Sequence, residues 1–247
     1  MTIRHVKIPT QKLRITVVYD NNRGAPGISP DWGFACLITG TPQPILFDTG
    51  ASATTLLANM RRLGITPGEI QVVFLSHFHG DHTGGLARLL EINSRPTVCY
   101  PASFPAKFTE ALRRAGIKTL AVRAAAKIGD GVYTTGELGT WIREQSLMIP
   151  TEKGTVLITG CAHPGIVNIV TAAKAILGSD VFFAMGGFHL GGASEKELAE
   201  IINAFKKLNV TSVGPCHCSG DTARRLFKIA YGRYYVDIGA GSVINLI

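Results

Sequence analysis

The segment Leu75-Ser76-His77-Phe78-His79-Gly80-Asp81-His82-Thr83-Gly84-Gly85 constrains this chain more than any other stretch. It sets three imidazoles and one carboxylate within six residues, a donor density that packing does not require. The apolar run Ile70 to Leu75 before it reads as a buried strand. Leu86, Leu89, Leu90 and Ile92 after it are spaced as one face of a helix. Side chains on a strand repeat every two residues, so His77 and His79 point the same way and can share one ion. Gly80 is expected to let the backbone turn sharply, with Asp81 and His82 then opening the helix toward a neighbouring position. Nitrogen and carboxylate oxygen at this spacing suit zinc or a similar first-row divalent ion, with manganese and iron as the alternatives.

Hydrophobic periodicity predicts strands at 13–20, 32–39 and 44–48, the last delivering Asp48. Thr66-Pro67-Gly68-Glu69 has the pattern of a capping box that opens a short helical turn. Further strands are expected at 97–100, 119–122 and 154–159, with a helix near 105–115 between the first two. A second set of strands begins within 127–135. Helices follow at 166–176 and from the capping box Ser194-Glu195-Lys196-Glu197, and a last strand starts at Tyr234. Six of the seven histidines fall at strand-to-loop junctions. His5 does not and reads as surface. Cys216 and Cys218 flank His217 on an expected strand, so they face away from it and read as packing residues.

Strands and helices alternate in two halves that echo each other, which fits two packed mixed sheets with helices on both outer faces, an αββα sandwich. The 247 residues are 46% hydrophobic, enough for a sizeable core, and no linker divides them; residues 1–247 are read as one domain. No apolar run approaches the roughly 20 residues of a membrane span. The start, Met1 to Lys7, lacks an uninterrupted apolar core, and five scattered cysteines argue for a reducing cytosol. The formal net charge is +8, with Lys107, Arg113, Arg114, Lys118, Arg123 and Lys127 crowded between 105 and 127 and Arg224, Arg225, Lys228 and Arg233 near the end. These favour an anionic, phosphorylated small molecule. Without a long basic run or aromatic interleaving, nucleic acid is not the expected partner, and neither is a membrane.

Ser-His-Phe-His-Gly-Asp-His-Thr-Gly-Gly resembles the metal motif of the metallo-β-lactamase superfamily. The resemblance implies the αββα fold and two metal ions, one held by His77, His79 and His163, the other by Asp81, His82 and His217. Asp48 matches the conserved acid that orients a ligand imidazole, and Asp81 and His189 are the candidate catalytic residues. Binuclear relatives place a bridging aspartate where this chain reads Met185-Gly186-Gly187-Phe188-His189-Leu190. His189 stands there instead, as a ligand or as a residue that binds or protonates the substrate. With Asp81 as the one anionic protein ligand, such a site stays near +3 and should prefer phosphate or pyrophosphate. Gly-Cys-Ala-His-Pro-Gly, Gly-Gly-Phe-His-Leu and Cys-His-Cys-Ser-Gly resemble a narrower branch, that of dihydropterin–ribofuranosylaminobenzene phosphate synthase of methanopterin biosynthesis. This implies a transferase that displaces pyrophosphate; a phosphodiesterase or other binuclear hydrolase is the alternative. A redox di-iron centre would want a carboxylate at 79, and a non-catalytic binding module would have lost ligands.

Overall fold

The computed structural model describes residues 5–246. Its elements are β1 (Arg14–Tyr19), β2 (Ala35–Thr39), β3 (Ile45–Phe47), α1 (Ala53–Arg62), β4 (Val72–Phe74), α2 (Gly80–Thr83), α3 (Leu86–Ile92), β5 (Thr97–Pro101), α4 (Ala106–Arg114) and β6 (Thr119–Val122). The chain continues through β7 (Ala124–Gly129), β8 (Val132–Gly136), β9 (Leu147–Thr151), β10 (Gly154–Thr159), α5 (Ile166–Leu177), β11 (Val181–Gly187), α6 (Glu195–Lys207), β12 (Ser212–Cys216), α7 (Asp221–Tyr231) and β13 (Val243–Asn245).

These form a seven-stranded sheet, β13-β1-β2-β3-β4-β5-β6, and a six-stranded sheet, β12-β11-β10-β9-β8-β7. Alternation along each strand explains the stacking. On β1, β3, β4, β10 and β11, residues Ile15, Val17, Ile45, Phe47, Phe74, Val156, Ile158, Phe183 and Met185 point into the space between the sheets. Their neighbours Val18, Leu46 and Val73 face α1, α3 and α4 on one outer side. Leu157 and Ala184 face α5, α6 and α7 on the other. Both faces of each sheet are covered, so these strands read as continuous apolar runs. Two mixed sheets flanked by helices is the expected αββα sandwich.

Strand direction positions the site. β3, β4, β5 and β6 run parallel in one sheet, and β10, β11 and β12 run parallel in the other. Parallel strands bring their C-terminal ends to one edge, where ligand sites of α/β sheets lie. Asp48, the His77–His82 segment, Cys161–His163, His189 and His217 all leave from those ends.

Several local expectations change. Gly80 is the first residue of α2, not a left-handed turn, and a side chain there would meet open space. The necessary glycines are Gly84 and Gly85, where an added Cβ would lie 2.1 Å from the Ala51 carbonyl oxygen and 2.3 Å from that of Thr49. They let the chain run against the β3 loop and split the expected helix in two. Thr66 makes no side-chain cap to the turn at Pro67–Glu69, whereas the Ser194–Glu197 capping box is complete. The last strand lies at Val243–Asn245, where it closes the first sheet beside β1; Gly232–Tyr234 is a tight helical turn. His5 is half-buried, packed edge-on at 4.8 Å against Tyr133.

Phe47 lies between Phe34 and Phe74, at ring separations of 5.9 and 5.3 Å, with no exposed surface. Phe47→Ala is expected to cost about 3–5 kcal/mol, as buried aromatic truncations do. Urea denaturation of the metal-free protein should show a lowered midpoint at unchanged slope.

Candidate metal centre

β4 ends at Phe74, the chain bends at His77 and Phe78, and His79 is extended again. His77 is buried while Phe78 is 45% exposed. His77 Nε2 lies 3.1 Å from His79 Nδ1. The His163 ring, carried by the loop after β10, sits 4.7 Å from that of His77 and 5.0 Å from that of His79. On the other side, Asp81 Oδ2 is 3.5 Å from His82 Nε2 and 3.4 Å from His217 Nε2. The structure thus gathers His77, His79 and His163 in one group and Asp81, His82 and His217 in a second. The two meet where the His77 and His82 rings lie 4.2 Å apart.

The hydrogen bonds behind these rings fix their tautomers. Ser76 Oγ donates its one proton to Asp48 Oδ2 at 2.7 Å, so it accepts from His77 Nδ1 at 2.9 Å. His82 Nδ1 donates to Asp48 Oδ2 at 2.7 Å. His163 Nδ1 donates to Glu144 Oε2 at 3.0 Å, and His217 Nδ1 to Asn21 Oδ1 at 3.0 Å. Four imidazoles then present an unprotonated Nε2 inward, the form that binds a metal ion. His79 instead turns Nδ1 toward His77.

Electrostatics favour the same states. Burial pushes His77 well below its usual range and His82 down to about 3, so both are neutral. Burial opposes ionisation of Asp81, but the neighbouring His217 and His82 imidazoles outweigh it and hold the carboxyl below its usual range. A two-metal-binding arrangement is present, and its chemistry fits: neutral nitrogens and one ionised carboxylate converge with their lone pairs facing each other.

Glu144 has no counterpart in the sequence reading. It is 1% exposed. Its Oε1 accepts backbone N–H groups of Gly160, Cys161 and Ala162 at 2.9–3.0 Å, and its Oε2 accepts that of His163 at 3.0 Å. Burial raises its pKa, but the nearby His77 imidazole, the His163 bond and these amides win and hold it low. An acid before an apolar strand carries no such signal, because its partners lie 16 or more residues away. Asp20 and Asn21 support His217 in the same way, Asp20 Oδ2 accepting the His217 N–H at 3.0 Å.

Two clefts open onto the centre. The larger, about 530 Å³, is lined by His163, His189, Asn168, Pro164 and the 138–142 loop. The smaller, about 290 Å³, is lined by Phe78, His79, Phe104 and Arg143. Trp141, 94% exposed, borders both, and Trp32 stacks at a tilt 5.5 Å from His217. His189 is exposed in the larger cleft, 4.7 Å ring to ring from His163, with a positive φ of 54°. None of the basic residues singled out from the sequence lines either cleft. Arg113 and Arg114 pair with Glu110, Lys127 with Asp130, Arg224 with Asp237 and Arg225 with Glu195. Cys218 also departs from its reading. β12 ends at Cys216 and His217–Ser219 is a helical turn, so alternation lapses and Cys218 turns toward Cys161 and His189. Cys216 remains in the core.

Asp48→Asn and Glu144→Gln each set an NH₂ group among donors that need acceptors. Each is expected to lower metal affinity about 10–100-fold, read by competition with a chromophoric chelator. Circular dichroism should show the fold retained for Asp48→Asn.

Residues 33–183 match the family model described as metallo-beta-lactamase superfamily. The chain is 31% identical over 269 aligned residues to the 7,8-dihydropterin-6-methyl-4-(beta-D-ribofuranosyl)-aminobenzene-5'-phosphate synthase of Methanocaldococcus jannaschii, covering 88% of this chain and 92% of that protein. Tm1679, whose crystal structure is described as a metal-dependent hydrolase of the beta-lactamase superfamily, superposes with a TM-score of 0.78 at 28% identity, over 94% of this chain and 98% of that one. A ribonuclease Z of Thermobifida fusca is 35% identical over 100 residues, 38% of this chain and 30% of that protein. That last match corrects the exclusion of nucleic acid drawn from charge patterning: linear charge runs do not report a surface assembled from distant loops. No helix among the described residues is long and apolar enough to cross a membrane. By its family model, its fold and its similarity to these proteins, the chain belongs to the metallo-β-lactamase superfamily.

Proposed function

We propose that this metal-dependent enzyme hydrolyses a phosphate ester or diester, with water adding to phosphorus as the P–O bond to the leaving group breaks. The observation that carries the reading is the opening of the larger cleft directly onto the donor cluster through His163 and His189. The likeness to a metal-dependent hydrolase over nearly the whole chain supports it.

In this reading His77, His79 and His163 hold one divalent ion, and Asp81, His82 and His217 hold a second, with zinc favoured by the donors. When bound, such ions supply Lewis acidity and bring the pKa of water to about 7 on zinc. Asp48 and Glu144 keep the imidazoles in their metal-binding tautomers. Asp81 also accepts a hydrogen bond from the attacking water. His189, exposed in the cleft and outside both triads, donates its proton to the departing oxygen. Arg143, paired with Glu137 at 3.2 Å, lines the smaller cleft.

A second reading is displacement of pyrophosphate from a pterin methyl carbon by an arylamine. It is supported by the similarity to the M. jannaschii synthase and by the exposed rings of Trp141, Trp32 and Phe78, which offer flat faces for stacking.

The two differ in the bond broken. Turnover in ¹⁸O-water places the label in the product phosphate if phosphorus is attacked. Displacement at carbon by the amine releases unlabelled pyrophosphate and needs the amine present. The panel comprises bis(p-nitrophenyl) phosphate, phosphomonoesters, a cyclic nucleotide and a short RNA, the last because of the ribonuclease Z likeness. No labelled phosphate from any member would end the hydrolytic reading.

His189→Ala tests the acid. Metal content is expected to stay at the wild-type value while turnover of alkyl esters falls about 10²–10⁴-fold. Nitrophenyl esters, whose leaving group needs no proton, should lose much less. Metal loss that tracks the activity loss would make His189 a ligand instead.

A further inference from the structure

Cys161 is unlike the other buried cysteines. Cys36, Cys99 and Cys216 pack as small apolar groups in the core between the sheets. Cys161, 4% exposed and a free thiol, sits among the metal-centre donors. Its Sγ lies 3.2 Å from His82 Nε2 and 3.4 Å from His217 Nε2. With Asp81 these atoms form a set of four, all within 4.8 Å of one another, and Cys161 also groups with His77 and His163. A tetrahedral zinc ion with bonds of about 2.0–2.3 Å holds its donors about 3.3–3.6 Å apart. The four measured separations of the second set, 3.2, 3.4, 3.4 and 3.5 Å, are close to such edges.

The backbone is built to keep the sulfur there. The Cys161 N–H is held by Glu144 at 2.9 Å, and the next residue, Ala162, has a φ of 61°, which L-residues avoid. The preceding Gly160 is pressed so closely on Ser76 that an added Cβ would lie 2.1 Å from Ser76 Oγ.

We infer that Cys161 is a metal ligand of this centre, its sulfur completing the set of Asp81, His82 and His217 at the border with His77 and His163. The inference rests on the metal-centre reading above and supplies the second anionic donor that the loop after β11 lacks. On binding, the S–H bond gives way to a metal–sulfur bond and the proton leaves to solvent. The charge of a two-ion centre then falls by one, and the softer donor favours zinc over manganese.

Cobalt substitution of the full chain tests this, because sulfur bound to Co(II) gives an intense near-ultraviolet charge-transfer band that nitrogen and oxygen donors do not. The metal-free protein is titrated with Co(II) while uptake is counted by mass spectrometry. The wild type is expected to show the band, Cys161→Ala to take up cobalt without it, and Cys218→Ala to retain it. Zinc-edge X-ray absorption of the wild type, independent of any variant's folding, should show a sulfur neighbour at about 2.3 Å. Cobalt uptake without the band, a band surviving in Cys161→Ala, or a zinc shell of nitrogen and oxygen alone would overturn the role of Cys161 while leaving the metal centre standing. Absence of cobalt uptake in the wild type would overturn both.

Discussion

Two buried carboxylates, Asp48 and Glu144, hold the rest of the site together. A carboxyl group out of water is costly unless its lone pairs are filled, and here they are; burial still pushes Asp48 up, whereas Glu144 is held low. Asp48 accepts from the Ser76 backbone, the Ser76 hydroxyl and His82, all at 2.7 Å. Glu144 accepts from four successive backbone amides and from His163. Each therefore organises a loop and an imidazole at once. The next residue extends the tie to the other sheet: Gln145 donates its backbone N–H to Ser76 O at 2.9 Å and its side chain to Leu75 O at 2.8 Å. The segment before β9 thus clamps the β4 loop and the β10 loop in one arrangement.

That clamp explains where backbone strain is found. Among the described residues, the non-glycine positions of positive φ are Asp48, Ala162, His189, His217 and Asn209, and four of these five lie in the site loops. Such conformations persist only where surroundings over-determine them. Asp48 is fixed by Ser76 and His82, Ala162 by Glu144, and His217 by Asp20 and Asn21. The donors are consequently held by the protein's own hydrogen bonds, which favours a rigid centre over an adaptable one.

Electrostatics and shape at the clefts point to a ligand gripped mainly by the centre itself. Arg113 and Arg114 of α4 and Arg224, Arg225 and Lys228 of α7 are engaged in short-range pairs, and exposed pairs of this kind contribute little to binding or stability. Trp141, Phe78 and Trp32 supply exposed ring faces around the centre. In the proposed reading, a phosphate group is held at the centre and a flat group lies against these rings.

The sequence by itself determined the layered α/β class and the convergence expected of the His77–His82 cluster. These are local: apolar periodicity sets which strands are buried, and spacing over six residues sets which side chains share a face. Only the tertiary structure decided the rest. Glu144, Asn21 and Cys161 act through partners 16 to 196 residues away, and nothing in their own neighbourhoods marks them. Cys218 was misread because the strand stops one residue before His217, a boundary fixed by the buried Asp20 that pins the His217 N–H. Charge runs misled for the same reason: cations crowded along the chain are paired away from the clefts, while the one lining a cleft, Arg143, stands alone in sequence and is itself paired with Glu137. Periodicity is a property of neighbours in the chain, but a site at the edge of two sheets is assembled from neighbours in space.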